Sequence, residues 1–395
     1  MTQFAARKRA LLGSLGSTGV VPLFTSNFVG LSALPAGLAS SRAGNAMMFD
    51  STGKLTYAPN NVIKNTATAS GWYLFNATIT TGVSDPFSGT NAFTQTATGN
   101  NSQIYTSVSG YSSANNFVLS VWLRRRTGTG TVQLYHPNDG GATTVTLTGS
   151  WQQFSLAGPG GIAAAWFNTI IVTSGDAIDI YLPVAAKVTY ETSPRTSDQV
   201  ITTSAAYYGP RFDYTGGSAD GWLNEAAATN LYLNSQVPAL QTITLVNGST
   251  YTISFYGTGS IVASGAYSGT VSGTGANIMT QQTFVAGSTS LSMAAPTGTV
   301  ANVQVELGSY ATSRIITAAS AVTRATDVPA SASPLTALLA AYPSVWELQD
   351  EATGVISRAQ YAAGAFAFPT GKWYRSMAVA PIIPSRWLTV GAPYN

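Results

Sequence analysis

The sequence predicts a mainly β protein that holds two copies of one module. Three observations carry this. Charged residues are only 8% of the 395, against about 25% in an ordinary globular chain; Gly, Ser, Thr, Ala and Asn fill the gap, a profile suited to sheets joined by tight turns. Short runs alternate apolar and polar residues, the mark of a strand with one buried face: Val303, Val305 and Leu307 alternate with Gln304, Glu306 and Gly308. The stretch 302–328 also has an echo at 183–208. Tyr190-Glu191-Thr192-Ser193-Pro194-Arg195 matches Tyr310 through Arg314 with one inserted proline, and Val200-Ile201 answers Ile315-Ile316.

Taken in order, residues 1–44 differ from the rest. Phe4, Arg7, Lys8, Arg9, Leu11 and Leu12 fit one short basic helix, followed by scattered apolar residues broken by Gly and Pro. A basic start and an apolar middle resemble a secretory signal, but Gly, Pro, Thr and Asn interrupt the apolar part, and the expectation is an uncleaved start. The segment is too glycine-rich for a core of its own and too apolar for a solvated linker. It reads as an extended arm that orders against another protein, or else as a tail laid over its own domain.

The first module is placed at 45–210. Met48-Phe49-Asp50-Ser51-Thr52-Gly53 resembles Arg211-Phe212-Asp213-Tyr214-Thr215-Gly216, and Asn61-Val62-Ile63-Lys64-Asn65 resembles Asn230-Leu231-Tyr232-Leu233-Asn234. A turn and strand follow from Asp85. Phe117–Arg124 is the clearest strand: Phe117, Leu119, Val121 and Leu123 point one way, and Val118, Ser120, Trp122 and Arg124 the other. Trp151–Leu156 and Ala177–Leu182 supply more strands. In the second module, 211–328, Tyr251–Tyr256 corresponds to that clearest strand, with Ser254-Phe255-Tyr256 on Ser120-Val121-Trp122. The glycine-rich 257–275 reads as strand–turn–strand. A third piece, 329–395, opens with a helix over Ser333–Tyr342, Ser333 as N-cap and Pro334 at the first helical position. Short strands then run at Val345–Gln349, Val355–Tyr361, Ala365–Phe368 and Trp373–Val379.

Composition narrows the function. The net charge of +3 is too weak, and the basic residues too dispersed, for a nucleic-acid footprint. With no cysteine and one histidine, His136, disulfides, thiolate chemistry and Cys-type zinc sites are excluded. No apolar run is long enough for a membrane-spanning helix. Asp350 and Glu351 are adjacent, so on a strand they face opposite sides and form no glycosidase pair. His136 and Asp139 in HPNDGG read as a hairpin turn before a catalytic or metal loop. The Asp85–Asn91 loop lacks the several carboxylates of a strong calcium site, and an Asx-type turn is preferred. No phosphate-cradling loop occurs. The reading contains no metal and no cofactor.

Glycan binding asks for less: flat aromatic rings for sugar C–H faces, with amides or charges nearby for hydroxyls. Trp122 and Tyr256 lie off the main apolar stripe, and Arg124 and Arg126 share the side of Trp122. These make Trp122, Arg124 and Tyr256 the candidate glycan-binding residues. The competing reading is a sheet face covered by a neighbouring subunit, with the arginine run as a solvated strand end or an ion-pair site. Trp72 and Trp151 read as core or edge packing.

The order of features in each module resembles a known family. Asn230–Ser235, then Tyr-Thr-Ile-Ser-Phe-Tyr, then Val303–Ser313 leading to Ala321-Val322-Thr323-Arg324-Ala325-Thr326-Asp327 look like the jelly-roll modules of bacteriophage head-spike and tail-fibre-type proteins, which are similar to β-sandwich carbohydrate-binding modules. The likeness covers about residues 45–328. The first module matches more loosely, since its closing strand, Pro183–Lys187, lacks the Gln-Val-Glu pattern. The resemblance implies a non-enzymatic, trimeric virion protein that touches host-surface glycans. The expected architecture is therefore tandem antiparallel β-sandwich (jelly-roll) modules with an extended N-terminal arm and a small C-terminal α+β cap. The arm, through Phe4, Arg7, Lys8, Arg9, Leu11 and Leu12, would anchor the protein to a capsid or tail structural protein. The alternatives are a free bacterial glycan-binding adhesin and a polysaccharide depolymerase.

Overall fold

Among the described residues, alternating sequences with little charge build sheets almost without helices. The computed structural model describes residues 24–27, 31–107, 116–136, 141–158, 166–215, 218–331, 344–350, 356–360 and 372–381. The helix expected at Ser333–Tyr342, the strand at Ala365–Phe368, Asp139 and the arm residues Phe4, Arg7, Lys8, Arg9, Leu11 and Leu12 lie outside them. The chain divides into two units. One comprises Arg42–Asn45 and Leu55–Gly209; the other comprises Met1–Ser41, Ala46–Lys54 and Pro210–Asn395.

The first unit contains two five-stranded antiparallel sheets. One runs Gln152–Gly158, Asn116–Thr127, Ala177–Val188, Ala92–Ala97, Ala77–Val83. The other runs Gly141–Val145, Val132–His136, Trp166–Ile171, Ser102–Ser107, Tyr73–Phe75. Every second residue of the central strands enters one shared core. Leu119, Val121, Leu123, Ile178, Ile180 and Phe93 come from the first sheet, and Val132, Leu134, Ile104, Phe167 and Ile171 from the second. Each fully buried Leu or Phe contributes roughly 1.5–3 kcal/mol. Trp72 belongs to this core, its Nε1 donating to the Lys64 carbonyl at 2.9 Å. The first sheet is covered on its other face too, where Val83, Val118, Leu182, Val184 and Val188 form a separate cluster.

The repeat seen in the sequence is a repeat of hydrogen bonds. Asn61 Nδ2 donates to the carbonyls of Pro183 and Val200, both at 3.1 Å, and its Oδ1 accepts from the N–H of Ile63 and Ala185 at 3.1 and 3.2 Å. Asn230 does the same in the second unit: Nδ2 to Val303 and Ile315 at 3.0 and 2.8 Å, Oδ1 from Tyr232 and Val305 at 3.0 and 3.1 Å. Two residues beyond Val200 and Ile315 the correspondence continues. Thr202 and Thr317 each donate a hydroxyl to the carbonyl of the matching residue, Ile63 or Tyr232. Asn65 and Asn234, at φ 56° and 49°, donate to Thr203 and Ala318. Asparagine tolerates this left-handed backbone better than most residues.

A bulge recurs as well. The register of Asn116–Thr127 slips between Ser120↔Val184 and Trp122↔Tyr181. That of Thr250–Gly265 slips between Ser254↔Gln304 and Tyr256↔Ala301. The inserted strand carries a positive-φ residue at matching places, Leu182 (49°) and Asn302 (55°). An extra residue at the same rung of both copies re-aims the side chains beyond it.

In the second unit Thr250–Gly265 pairs along its length with Gly269–Val285, and also with Ser290–Met293 and Ala301–Leu307, while Gln241–Thr244 closes the sheet. Ile253, Phe255, Ile261, Leu291, Val303 and Val305 pack its core. The glycine-rich stretch has a steric cause. Gly259 sits at φ +112°, and a Cβ there would lie 2.2 Å from the Thr297 carbonyl, because 297–299 close over 258–260 through backbone bonds.

Two expected pieces join sheets of this unit. Ser344–Asp350, Ile356–Gln360 and Lys372–Pro381 share a six-stranded antiparallel sheet with Arg211–Thr215 and Ser218–Asn224, so the described strands of the expected cap are continuous with the opening strands of the second module. Within the expected arm, Phe24–Asn27 pairs with Lys372–Pro381 and Leu38–Ser41 with Val328–Ser331. Short segments without a core satisfy their backbone groups at available sheet edges.

Candidate functional site

Alternation along Asn116–Thr127 separates two environments. With Leu119, Val121 and Leu123 in the shared core, Trp122, Arg124 and Arg126 emerge on the other face. Opposite Trp122 the bulge brings Tyr181 into register. The Asp85 loop delivers Phe87 to the same place. Asp85 Oδ1 accepts from the N–H of Phe87 and of Gly89, both at 2.9 Å, and Oδ2 from Asn91 N–H at 3.3 Å. This is the Asx-type turn expected from the sequence. Burial works against the Asp85 charge, and the bonds from Gly89, Phe87 and Asn91 outweigh it, holding the carboxyl below its ordinary range.

The result is an aromatic row. The Phe87 ring is 66% exposed and meets Trp122 edge-on at 5.7 Å, and Tyr181 at 6.0 Å. Trp151 meets Tyr181 at 6.3 Å. Trp122 and Trp151 are half-buried against the outer cluster. Their Nε1 atoms are shut off from solvent and have no acceptor among the described residues. Buried donors are nearly always paired, so these two N–H groups stand out.

The arginine run splits as alternation requires. Arg125 turns to the opposite side, reaching Asp176 at 3.3 Å and the Gly130 carbonyl at 2.6 Å. Arg124 and Arg126 both meet Asp179, through Nε at 2.7 and 2.6 Å. Thr94 adds a hydroxyl to Asp179 at 2.6 Å. Burial opposes the Asp179 charge, but the bonds from Arg126, Thr94 and Arg124 hold its carboxyl below the usual range. Arg124 also lies 4.7 Å over the Trp151 ring, a cation–π contact. The trio carries one net positive charge. Both guanidinium groups bond Asp179 through Nε, and among the described residues their terminal nitrogens make no further ion pair.

Tyr256, at the position matching Trp122, is in a different state. Arg314 lies 4.8 Å over its ring, and Phe49 meets it edge-on at 5.3 Å. Arg314 is held there by the Asn302 carbonyl at 2.8 Å and Ser254 Oγ at 3.0 Å. Burial pulls the Arg314 guanidinium below its ordinary range despite Tyr256, Glu306 and Glu225 nearby. On that side the ring offers no open stacking face, because it is taken by the arginine that ends the Tyr-Ala-Thr-Ser-Arg motif. Trp122 and Arg124 do come together, in the first unit. Phe87, Tyr181 and Asp179 were missed. The alternation of Ala177–Leu182 already places Asp179 and Tyr181 on one side, whereas Phe87 sits in a turn with no periodicity to read.

Carboxylates also converge in the second unit, on arginines rather than on a cleft. Arg211 bridges Glu225, at 2.8 Å, and Asp327; Arg324 lies 3.4 Å from Glu225. All four are buried. Burial opposes the Arg211 charge, and Asp327 and Glu225 together raise its affinity for the proton. Such a network fixes the packing of 211, 225 and 324–327. Among the described residues no group of His, Asp and Glu side chains is arranged to hold a metal.

No family model matches the sequence, and no curated protein matches it. Among solved structures, the chain is similar to the enzymatically active domain of tailspike protein 4 of bacteriophage CBA120, at 17% identity and a TM-score of 0.26, over 32% of this chain and 21% of that one. It spans about a fifth of that domain. It is also similar to the N-terminal CBM22-1–CBM22-2 tandem of Xyn10C from Paenibacillus barcinonensis, at 12% identity and a TM-score of 0.24, over 70% of this chain and all of that one.

Proposed function

We propose that this chain is a non-enzymatic structural protein of a phage virion, of head-spike or tail-fibre type, whose tandem β-sandwich (jelly-roll) modules face the host and whose first module binds host-surface glycans. The observation that carries the glycan reading is the exposed Phe87 ring set edge-on against the half-buried Trp122, with Arg124 and Arg126 fixed beside it. Flat rings accept sugar C–H faces, and the net positive charge of the arginine pair with Asp179 favours an acidic sugar. Low charge, absent cysteine and the sequence likeness to spike and fibre modules support the virion reading. In this reading residues 1–44 dock on a capsid or tail protein and the protein is a homotrimer; neither nucleic acid nor membrane insertion has a part.

The test is calorimetric titration of the full chain with a hexamer of galacturonic acid. Binding that weakens at least tenfold in Trp122→Ala and in Phe87→Ala, with unchanged melting temperature, supports the site. No binding by the unaltered chain, or equal binding by both variants, rejects it. Light scattering on the full chain and on a chain lacking residues 1–23, which spares the Phe24–Asn27 and Leu38–Ser41 strands, tests assembly. A monomer in both cases rejects the trimer.

A further inference from the structure

We infer that the second sheet of the first unit carries another saccharide site, built on Tyr73, Tyr105, Asn168 and Tyr135 and suited to neutral, extended oligosaccharides. It uses none of the residues around Trp122 and stands or falls on its own.

The site follows from alternation in three strands. Ile104, Leu134 and Phe167 enter the core. Tyr105, Tyr135 and Asn168, one residue away in each strand, therefore lie on the opposite face. Register places them in a line: Tyr73 opposite Tyr105, Tyr105 opposite Asn168, Asn168 opposite Tyr135. Three strand spacings make this row about 14 Å long, room for several sugar rings rather than one. Tyr73 is 60% exposed, and its ring is stacked on Tyr105 at 5.0 Å and 12°. A parallel pair of rings standing at the sheet edge presents a flat apolar face with polar hydroxyl tips, which is the complement of a pyranose ring.

Asn168 provides the second, independent sign. It is 9% exposed and donates Nδ2 to Gln103 Oε1 at 3.0 Å, while its Oδ1 has no donor among the described residues. Native folds leave few buried acceptors unpaired. Asn168 lies between Tyr105 and Tyr135 in the row, and a ligand hydroxyl that reached its Oδ1 would supply the missing proton.

The charge of the ligand follows from the strands themselves. Tyr73–Phe75, Ser102–Ser107, Trp166–Ile171, Val132–His136 and Gly141–Val145 contain no Asp, Glu, Lys or Arg. An anionic sugar would give up hydration here with no counter-charge; a neutral one would not. The two sites of this unit thus differ in the charge they select.

The probe is cellohexaose, titrated calorimetrically into the full chain, with the galacturonic acid hexamer as the contrasting ligand. The expected result is cellohexaose binding that falls at least tenfold in Tyr73→Ala and in Asn168→Leu, survives in Tyr105→Phe, which keeps the ring, and is unchanged in Trp122→Ala. Tyr73 lies on an edge strand, so its variant keeps the fold, and matched melting curves check this. Three results overturn the inference: no binding by the unaltered chain, binding that Trp122→Ala removes, or binding that Asn168→Leu leaves intact. Failure of the acidic hexamer with success of cellohexaose rejects the Trp122 site alone.

Discussion

Asn230→Ala is the substitution whose cost the geometry defines best. The side chain is fully buried and makes four hydrogen bonds, all between 2.8 and 3.1 Å, to the backbone of residues 232, 303, 305 and 315. Each such bond is worth about 1 kcal/mol net, so the loss is about 4 kcal/mol. A water entering the vacated space would return part of this, leaving about 3 kcal/mol. Stabilities of ordinary domains run about 5–15 kcal/mol, so the second unit should unfold at a markedly lower urea concentration. Asn61→Ala, with the matching four bonds, should cost the first unit as much. Urea titrations followed by hydrogen exchange, read peptide by peptide, would show which unit opens. A loss below about 1 kcal/mol in either variant, or weakened protection outside the mutated unit alone, would refute the reasoning that the asparagines clamp the two copies independently. Asn230→Asp sharpens the test. It keeps the acceptor but replaces the donor, and the buried carboxyl resists ionising, so its cost should grow as pH rises.

Four further outcomes follow from charge and space. Asp179 has a carboxyl held below its ordinary range; the stability it gives is present above the unfolded value of about 3.9 and lost as pH falls through the lower folded value. Asp179→Asn should remove that acid-limb component and cost about 2 kcal/mol at neutral pH by leaving Arg124 and Arg126 without their counter-charge; an unchanged acid limb would count against it. Burial pushes the Lys187 ammonium, 4.5 Å above the Tyr57 ring, down to about 8. The fold disfavours its charged form, so stability should rise as pH climbs from there toward the unfolded value of about 10.4, and Lys187→Met should abolish the rise; an NMR midpoint above 10 would contradict this. Gly259→Ala combines an unfavourable φ with a clash on the Thr297 carbonyl and should cost about 3 kcal/mol by thermal or urea unfolding. Gly44→Ala, with open space around the new Cβ, should stay within about 1 kcal/mol of the parent.

Much of this was legible in the sequence where local pattern decides. Asn61–Asn65 and Asn230–Asn234 look alike because the same side chains hold the same backbone groups. Ser120–Trp122 and Ser254–Tyr256 look alike because the same bulge lies opposite both. Alternation placed Trp122 and Arg124 on the face away from the core. What stayed hidden depends on distant partners. Nothing near Arg124 announces Asp179, which arrives from another strand, and nothing near Tyr256 announces that Arg314 will cover it. The strands of 344–381 were read as a cap because their pairing with Ser218–Asn224 is a long-range choice that no local period records. The tyrosine row on the second sheet escaped for a related reason: each strand contributes one ring, and only register shows them in line.

The two copies explain why the motif arginine covers one of the matching aromatic positions and not the other. Arg195 and Arg314 end the matching motifs, and in the second unit the arginine folds back over Tyr256. In the first, the chain carries Pro194 before the arginine and Asp198 after it. Arg195 is drawn to Asp198 through Nε at 3.0 Å and to the Tyr57 carbonyl at 2.8 Å. Asp198 is fully buried and also accepts from the Asn60 N–H at 2.8 Å, so the arginine is committed there and is not spent on the ring of Trp122. A duplicated scaffold has thus kept its asparagine clamp and its bulge in both copies while redirecting one arginine. That redirection leaves the Trp122 face to Phe87, Trp151 and the Asp179-bound arginines. Asp198→Asn together with deletion of Pro194 should restore the second-unit pattern in the first. If Trp122 then loses its exposure, measured by acrylamide quenching, the diverted arginine is what holds the face open; if quenching is unchanged, the opening has another cause.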